Sequence, residues 1–163
     1  MYWASRKNGG RAVKGIILLA PVSDWAAETK LRGIKKIGKV TRLARVLVRR
    51  GKGRELLPDN VWHETLDAQR FLSLYTPDSV EEIFTYAQPK KVPRTLKRVH
   101  APILALLAEK DEFWGRPVRP VAAWFEKNIR APHKVVIVPR VKHSFKGAEK
   151  RVAKEIRTFI KPQ

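Results

Sequence analysis

The stretch "PILALLAEKDE" (residues 102–112) decides the fold. Its apolar core runs unbroken from Ile103 to Ala108, and charge begins at once with Glu109. So short an apolar run, closed by a charged loop, reads as a strand buried on both faces, the habit of parallel sheets. Two further stretches share the pattern. "VKGIILLAPVSDW" (13–25) holds an apolar run over Ile16–Ala20 closed by Pro21. "HKVVIVPRV" (133–141) is the third. Helical patterns lie between and after them. "RPVAAWFEKNI" (119–129) has Pro120 at an early position, and residues 147–160 carry Val152, Ile156, Phe159 and Ile160 on one face. Strands alternating with helices predict a parallel α/β sheet.

Residues 30–54 differ from the rest. They hold eleven Lys and Arg and no acid. Leu31, Ile34, Ile37, Val40, Leu43 and Leu47 recur every three to four positions, which predicts one or two amphipathic helices. "RRGKGRELLPDN" (49–60) is a break. Residues 61–75 read as mostly helical. Residues 76–87 read as a helix capped at Asp78 or Ser79, with Glu81 and Glu82 in its first turn. Residues 88–102 form a connector with a short central helix. Residues 2–8 read as a helix tail, broken by "NGG" at 8–10.

Composition sets the outer bounds. With 163 residues the chain can bury one core. Its 35 Lys+Arg against 15 Asp+Glu give a net charge of +20, a field that favours anionic partners. It has no cysteine, so disulfides and thiolate metal sites are excluded. The four histidines show no metal-binding spacing, and no cofactor is expected. No run approaches the ~20 apolar residues of a membrane span, and "MYWASRKNGG" lacks a signal-peptide core, so a cytoplasmic protein is expected. Three Asn, three Gln and one Met are few, which points towards a thermophilic source.

Functional groups of parallel α/β sheets gather at the carboxyl ends of strands. Ser23 and Asp24 follow the first strand, Asp111 the second and His143 the third. "KGIILLAPVSDW", "PILALLAEKDEF" and "VKHSFKGAEKRVAKEIRTFI" together resemble the C-terminal half of the α/β-hydrolase superfamily. They look like the strand after the nucleophile helix, the acid strand, and the histidine loop with its terminal helix. "APVSDW", "RFLSLYTP" and "IFTYAQ" most resemble the branch of fusarinine C esterases, which hydrolyse siderophore esters; Trp25 stands where an arginine is expected. The resemblance implies that Asp111 is the triad acid and His143 the base. Asp24 is an alternative acid. His63, His100 and His133 are expected at the surface or in packing. Residues 1–163 are then a single partial hydrolase domain, three strands with flanking helices, and residues 26–88 a basic helical cap inserted within it.

The nucleophile is the missing part. Such hydrolases present their serine in Gly-x-Ser-x-Gly on a strand-to-helix turn. That motif does not occur in residues 1–163. Ser5 has no flanking glycine, Ser23 lacks the strained elbow, and Ser144 adjoins the histidine but points elsewhere. The chain is therefore expected to be a truncated or split gene product, or one whose start lies further upstream, and inactive alone. An ester substrate is the expected small partner. A partner chain or a second copy is expected to pair with the open strand edge at 15–20. The alternative is a basic, non-enzymatic module that binds nucleic acid or other anionic partners.

Overall fold

A computed structural model describes residues 1, 3–6 and 12–161. The elements in chain order are β1 (Ile16–Leu19), α1 (Asp24–Arg32), α2 (Ile34–Arg49), α3 (Ala68–Tyr75), α4 (Arg94–Lys97), β2 (Ile103–Ala108), α5 (Val118–Asn128), β3 (His133–Val138) and α6 (Glu149–Ile160). They fall into two compact units, Met1–Val22 with Ile83–Gln163, and Ser23–Glu82.

The first unit is an α/β layer structure around a parallel sheet of order β1-β2-β3. Ile16 pairs with Ile103 at one side of β2, and Ile103 pairs with His133 at the other. Every residue of β2 is buried. Strand side chains alternate between faces, so each half of the sequence "ILALLA" serves a different core. Ile103, Ala105 and Leu107 pack with Val121 and Phe125 of α5. Leu104, Leu106 and Ala108 pack with Val152, Ile156 and Phe159 of α6. That double burial is why β2 reads as an unbroken apolar run. The edge of β1 away from β2 pairs with no strand among the described residues, and Leu19 is half exposed there.

The second unit is helical. Ser23 caps α1 by accepting the Ala26 N–H at 3.1 Å, and Asp67 caps α3 by accepting the Arg70 N–H at 2.6 Å. Gly33, at φ 82°, ends α1 and starts α2, a left-handed turn that favours glycine. The buried stripe of α2, Ile37, Val40 and Ala44, meets Phe71 and Tyr75 of α3 around Trp62.

Four expectations need correction. Of residues 61–75, only Ala68–Tyr75 is helical. The backbone before it is spent elsewhere: Leu57 donates to the Leu66 carbonyl, Ala68 to Glu55, and Val61 and Trp62 both to Pro58. Residues 76–87 form no helix beyond a single 3-10 turn at Thr85–Ala87. Their capping letters serve tertiary contacts instead. The Ser79 hydroxyl donates to the Ser73 carbonyl and accepts the Glu81 N–H, and the buried Glu82 carboxylate accepts the Trp25 N–H at 3.4 Å. The last helix starts at Glu149 rather than 147, and Ile160 is 63% exposed instead of sharing the packed face. Near the N-terminus, Trp3–Ser5 is a 3-10 turn, while the Asn8-Gly9-Gly10 break lies outside the described residues.

The contact that replaced the helix at 76–87 is testable. Glu81 accepts the Ser73 hydroxyl and both its oxygens lie 2.7 Å from the Arg70 guanidinium. The Ser73 hydroxyl first, then Arg70, hold its carboxyl below the ordinary value. A depressed acid stabilises the fold above the unfolded value and loses that stability as pH falls through the folded one. Glu81→Gln is therefore expected to cost less than about 1 kcal/mol at pH 7, because the pair is partly exposed. It should also flatten the acid limb of a stability–pH curve. An unchanged acid limb in urea titrations at several pH values would refute the assignment.

Candidate active site

Two loops leave the same end of the sheet, one after β2 and one after β3, and the backbone ties them together. Glu109 donates its N–H to the Val138 carbonyl at 3.0 Å, and Lys110 to Val141 at 2.9 Å. Glu109 and Glu112 then each reach across. The Glu109 carboxylate accepts the Arg140 N–H at 2.7 Å, and the Glu112 carboxylate accepts the His143 N–H at 3.1 Å. The Glu112 carboxyl lies below its ordinary value, held there by its own N–H and then by that of His143. Arg140 and Phe145 sit at φ 61° and 54°, left-handed positions for residues with a Cβ. Each costs about 1 kcal/mol or more. Phe145 is buried and anchors the loop on the α6 side of the sheet, which helps to hold it in that shape.

The result is one close side-chain pair. His143 Nδ1 lies 2.9 Å from Asp111 Oδ2, across 32 residues of sequence. The Asp111 side chain is wholly buried, whereas the His143 side chain is 37% exposed. Asp111 is further fixed by its other oxygen, which accepts the Phe113 N–H at 2.9 Å. The Phe113 ring stands edge-on to the imidazole, with centroids 4.8 Å apart. A buried carboxylate on Nδ1 selects the tautomer with its proton there and leaves Nε2 as the basic nitrogen. Chemically, the arrangement can accept a proton at Nε2 and stabilise the resulting cation.

Ser23 and Asp24 belong to the helical unit, where Ser23 is buried as the cap of α1. Ser144 is exposed beside His143 in sequence. His133 opens β3 and bonds the Ala131 carbonyl and Glu126. His63 stands exposed near Glu64, and His100 is exposed. Among the described residues no three His, Asp or Glu side chains converge to hold a metal. A cavity of about 840 Å³ opens at the opposite end of the sheet, beside Gly15, Pro102, Pro132 and Phe159.

Sequence reasoning missed Glu109, Glu112 and Phe113 as the frame of the pair. The only signal was the density of acids in "EKDE" directly after a strand.

A family described as "Protein of unknown function (DUF1749)" matches residues 1–161. No curated protein matches. Among solved structures, a thermophilic esterase from Thermogutta terrifontis, in a malate-bound form, is similar. It shares 19% identity and a TM-score of 0.41, over 90% of this chain and 55% of that one. The chain thus spans about half the length of that esterase.

Proposed function

We propose that this chain, which belongs to the DUF1749 family, supplies the acid and base of a serine-hydrolase triad acting on carboxylic esters. One observation carries the reading: a wholly buried Asp111 bonded at 2.9 Å to Nδ1 of an accessible His143, each on the loop after a parallel strand. That is the acid-then-base order of an α/β-hydrolase. Asp111 orients the ring and stabilises its charged form. His143 Nε2 removes the serine proton and later returns it to the leaving alcohol.

The serine comes from polypeptide outside residues 1–163. None of the serines here stands in Gly-x-Ser-x-Gly. Ser23 is already committed as a helix cap, and Ser73 and Ser79 hydrogen-bond within the helical unit. The open edge of β1, with its half-exposed Leu19, is where the missing strand would add. On this reading residues 1–163 are one partial hydrolase domain with a cap at 26–88, and the compact helical unit Ser23–Glu82 supports it. The short words "APVSDW", "RFLSLYTP" and "IFTYAQ" favour an ester of the siderophore type as substrate. The cationic cap suits esters that carry carboxylates.

A serine-directed fluorophosphonate probe tests the assignment. The isolated chain is expected to remain unlabelled and to leave p-nitrophenyl esters unhydrolysed above background. Labelling mapped to Ser23 or Ser144 would overturn it, because the chain would then contain its own nucleophile.

A further inference from the structure

We propose that the outer face of α2 docks the protein on an anionic lipid surface. This docking face is independent of the hydrolase reading. α2 is sixteen residues long, about 24 Å at 1.5 Å per residue. Its buried side is set by Ile37, Val40 and Ala44. At about 100° per residue, Lys35, Lys39, Arg42 and Arg49 fall on the opposite side, flanked by Lys36 and Arg50. All six are exposed. Among the described residues no carboxylate comes within ion-pairing distance of any of them. Arg45, on the same helix, pairs with Asp78 at 3.6 Å. Charges left unpaired along one helix face make a field that an external polyanion can neutralise.

The side chains between these cations choose the polyanion. Val46 lies in the middle of the face and Leu43 at its side, 40% and 36% exposed. Against nucleic-acid phosphates two aliphatic side chains gain little. The face also has no aromatic ring to stack on a base and no Asn or Gln to read its edge. At a bilayer surface the same two side chains dip towards the acyl boundary, while the long Lys and Arg stems reach up to the headgroups. Because the apolar stripe of α2 is already buried in its own unit, the contact is peripheral, and its strength comes mainly from charge. Each cation near an anionic leaflet contributes about fivefold in partitioning.

The test is co-sedimentation of the full chain with vesicles of phosphatidylcholine alone or mixed with phosphatidylserine. Binding is expected only to the mixed vesicles and should fall steeply with added salt. The double variant R42Q/R49Q is expected to weaken partitioning about 25-fold. L43S/V46S should weaken it by a smaller factor that salt does not alter. K150Q/R151Q, the same charge loss on exposed positions of α6, should change it little. Circular dichroism on each variant keeps loss of fold apart from loss of binding. Equal binding to both vesicle types, binding to neither, or equal weakening by the α6 pair would each overturn the proposal. So would preference for a DNA duplex over the mixed vesicles at matched salt.

Discussion

Replacing Asp111 with asparagine is expected to move the His143 ring proton from Nδ1 to Nε2. Wherever a serine completes the triad, the same change is expected to lower ester turnover about 10⁴-fold. The geometry dictates the direction. Asp111 is wholly buried, and both its oxygens are engaged, one by the Phe113 N–H and one by His143 Nδ1, each at 2.9 Å. An asparagine in that place has one acceptor and one donor end. The backbone N–H of Phe113 demands the acceptor, so the amide N–H₂ turns towards the imidazole. Nδ1 must then offer a lone pair, the proton moves to Nε2, and the nitrogen that faces a nucleophile stops being a base. Long-range proton–nitrogen correlation spectra of the neutral ring read the tautomer directly in the chain by itself. Glu112→Gln is the control, since the Glu112 carboxylate accepts the backbone N–H of His143. It should leave the tautomer unchanged. An Nδ1–H ring persisting in Asp111→Asn would remove Asp111 from the role of orienting acid.

β2 was legible because a strand buried on both faces has no use for polar residues, and it is nothing but Ile, Leu and Ala. The stripe of α2 was legible for the complementary reason: a helix with one dry side repeats its apolar residues every turn, as Ile37, Val40 and Ala44 do. The failures fall where one letter has two physical uses. Ser79, Glu81 and Glu82 carry the signals of a helix start, yet a hydroxyl or carboxylate that can cap a helix can equally satisfy a distant backbone group. Here the distant groups won, at the Ser73 carbonyl, at Arg70 and at the Trp25 N–H. The same ambiguity hid the frame of the Asp111–His143 pair. "EKDE" offers three carboxylates, and only the end of β2 decides which of them turns inward. Asp111 is buried behind the ring while Glu109 and Glu112 reach outward to the backbone of the next loop. Local periodicity says nothing about such choices, because they depend on a strand pairing made with residues 133–138.

Trp62→Ala is expected to destabilise the helical unit by about 3–5 kcal/mol, the range for truncating a large aromatic in a packed core. Trp62 is fully buried. Phe71 meets its ring edge-on at 4.9 Å and Tyr75 lies 5.1 Å away, so the cavity would open in the middle of an aromatic cluster rather than at its rim. The polar side of the site fails with it. The Trp62 indole N–H donates to Glu64 at 3.2 Å, and the Tyr75 hydroxyl donates to the same carboxylate oxygen at 2.6 Å. Burial first, and the Glu64 carboxylate second, push the Tyr75 phenol up, so it remains a donor to that carboxylate at ordinary pH. Removing the indole takes one donor from a partly buried carboxylate and exposes the other hydrogen bond to water. A unit of roughly 60 residues buries too small a core to absorb such a loss. Hydrogen exchange followed by mass spectrometry separates the two units. In Trp62→Ala, amides of α2 and α3 are expected to lose protection by roughly two to four orders of magnitude, which is what about 3–5 kcal/mol amounts to. Those of β2 and β3 should keep theirs, because the sheet's core is built from other residues. If protection is lost equally in both units, they unfold as one, and Trp62 would then be holding the whole chain together rather than the helical unit alone.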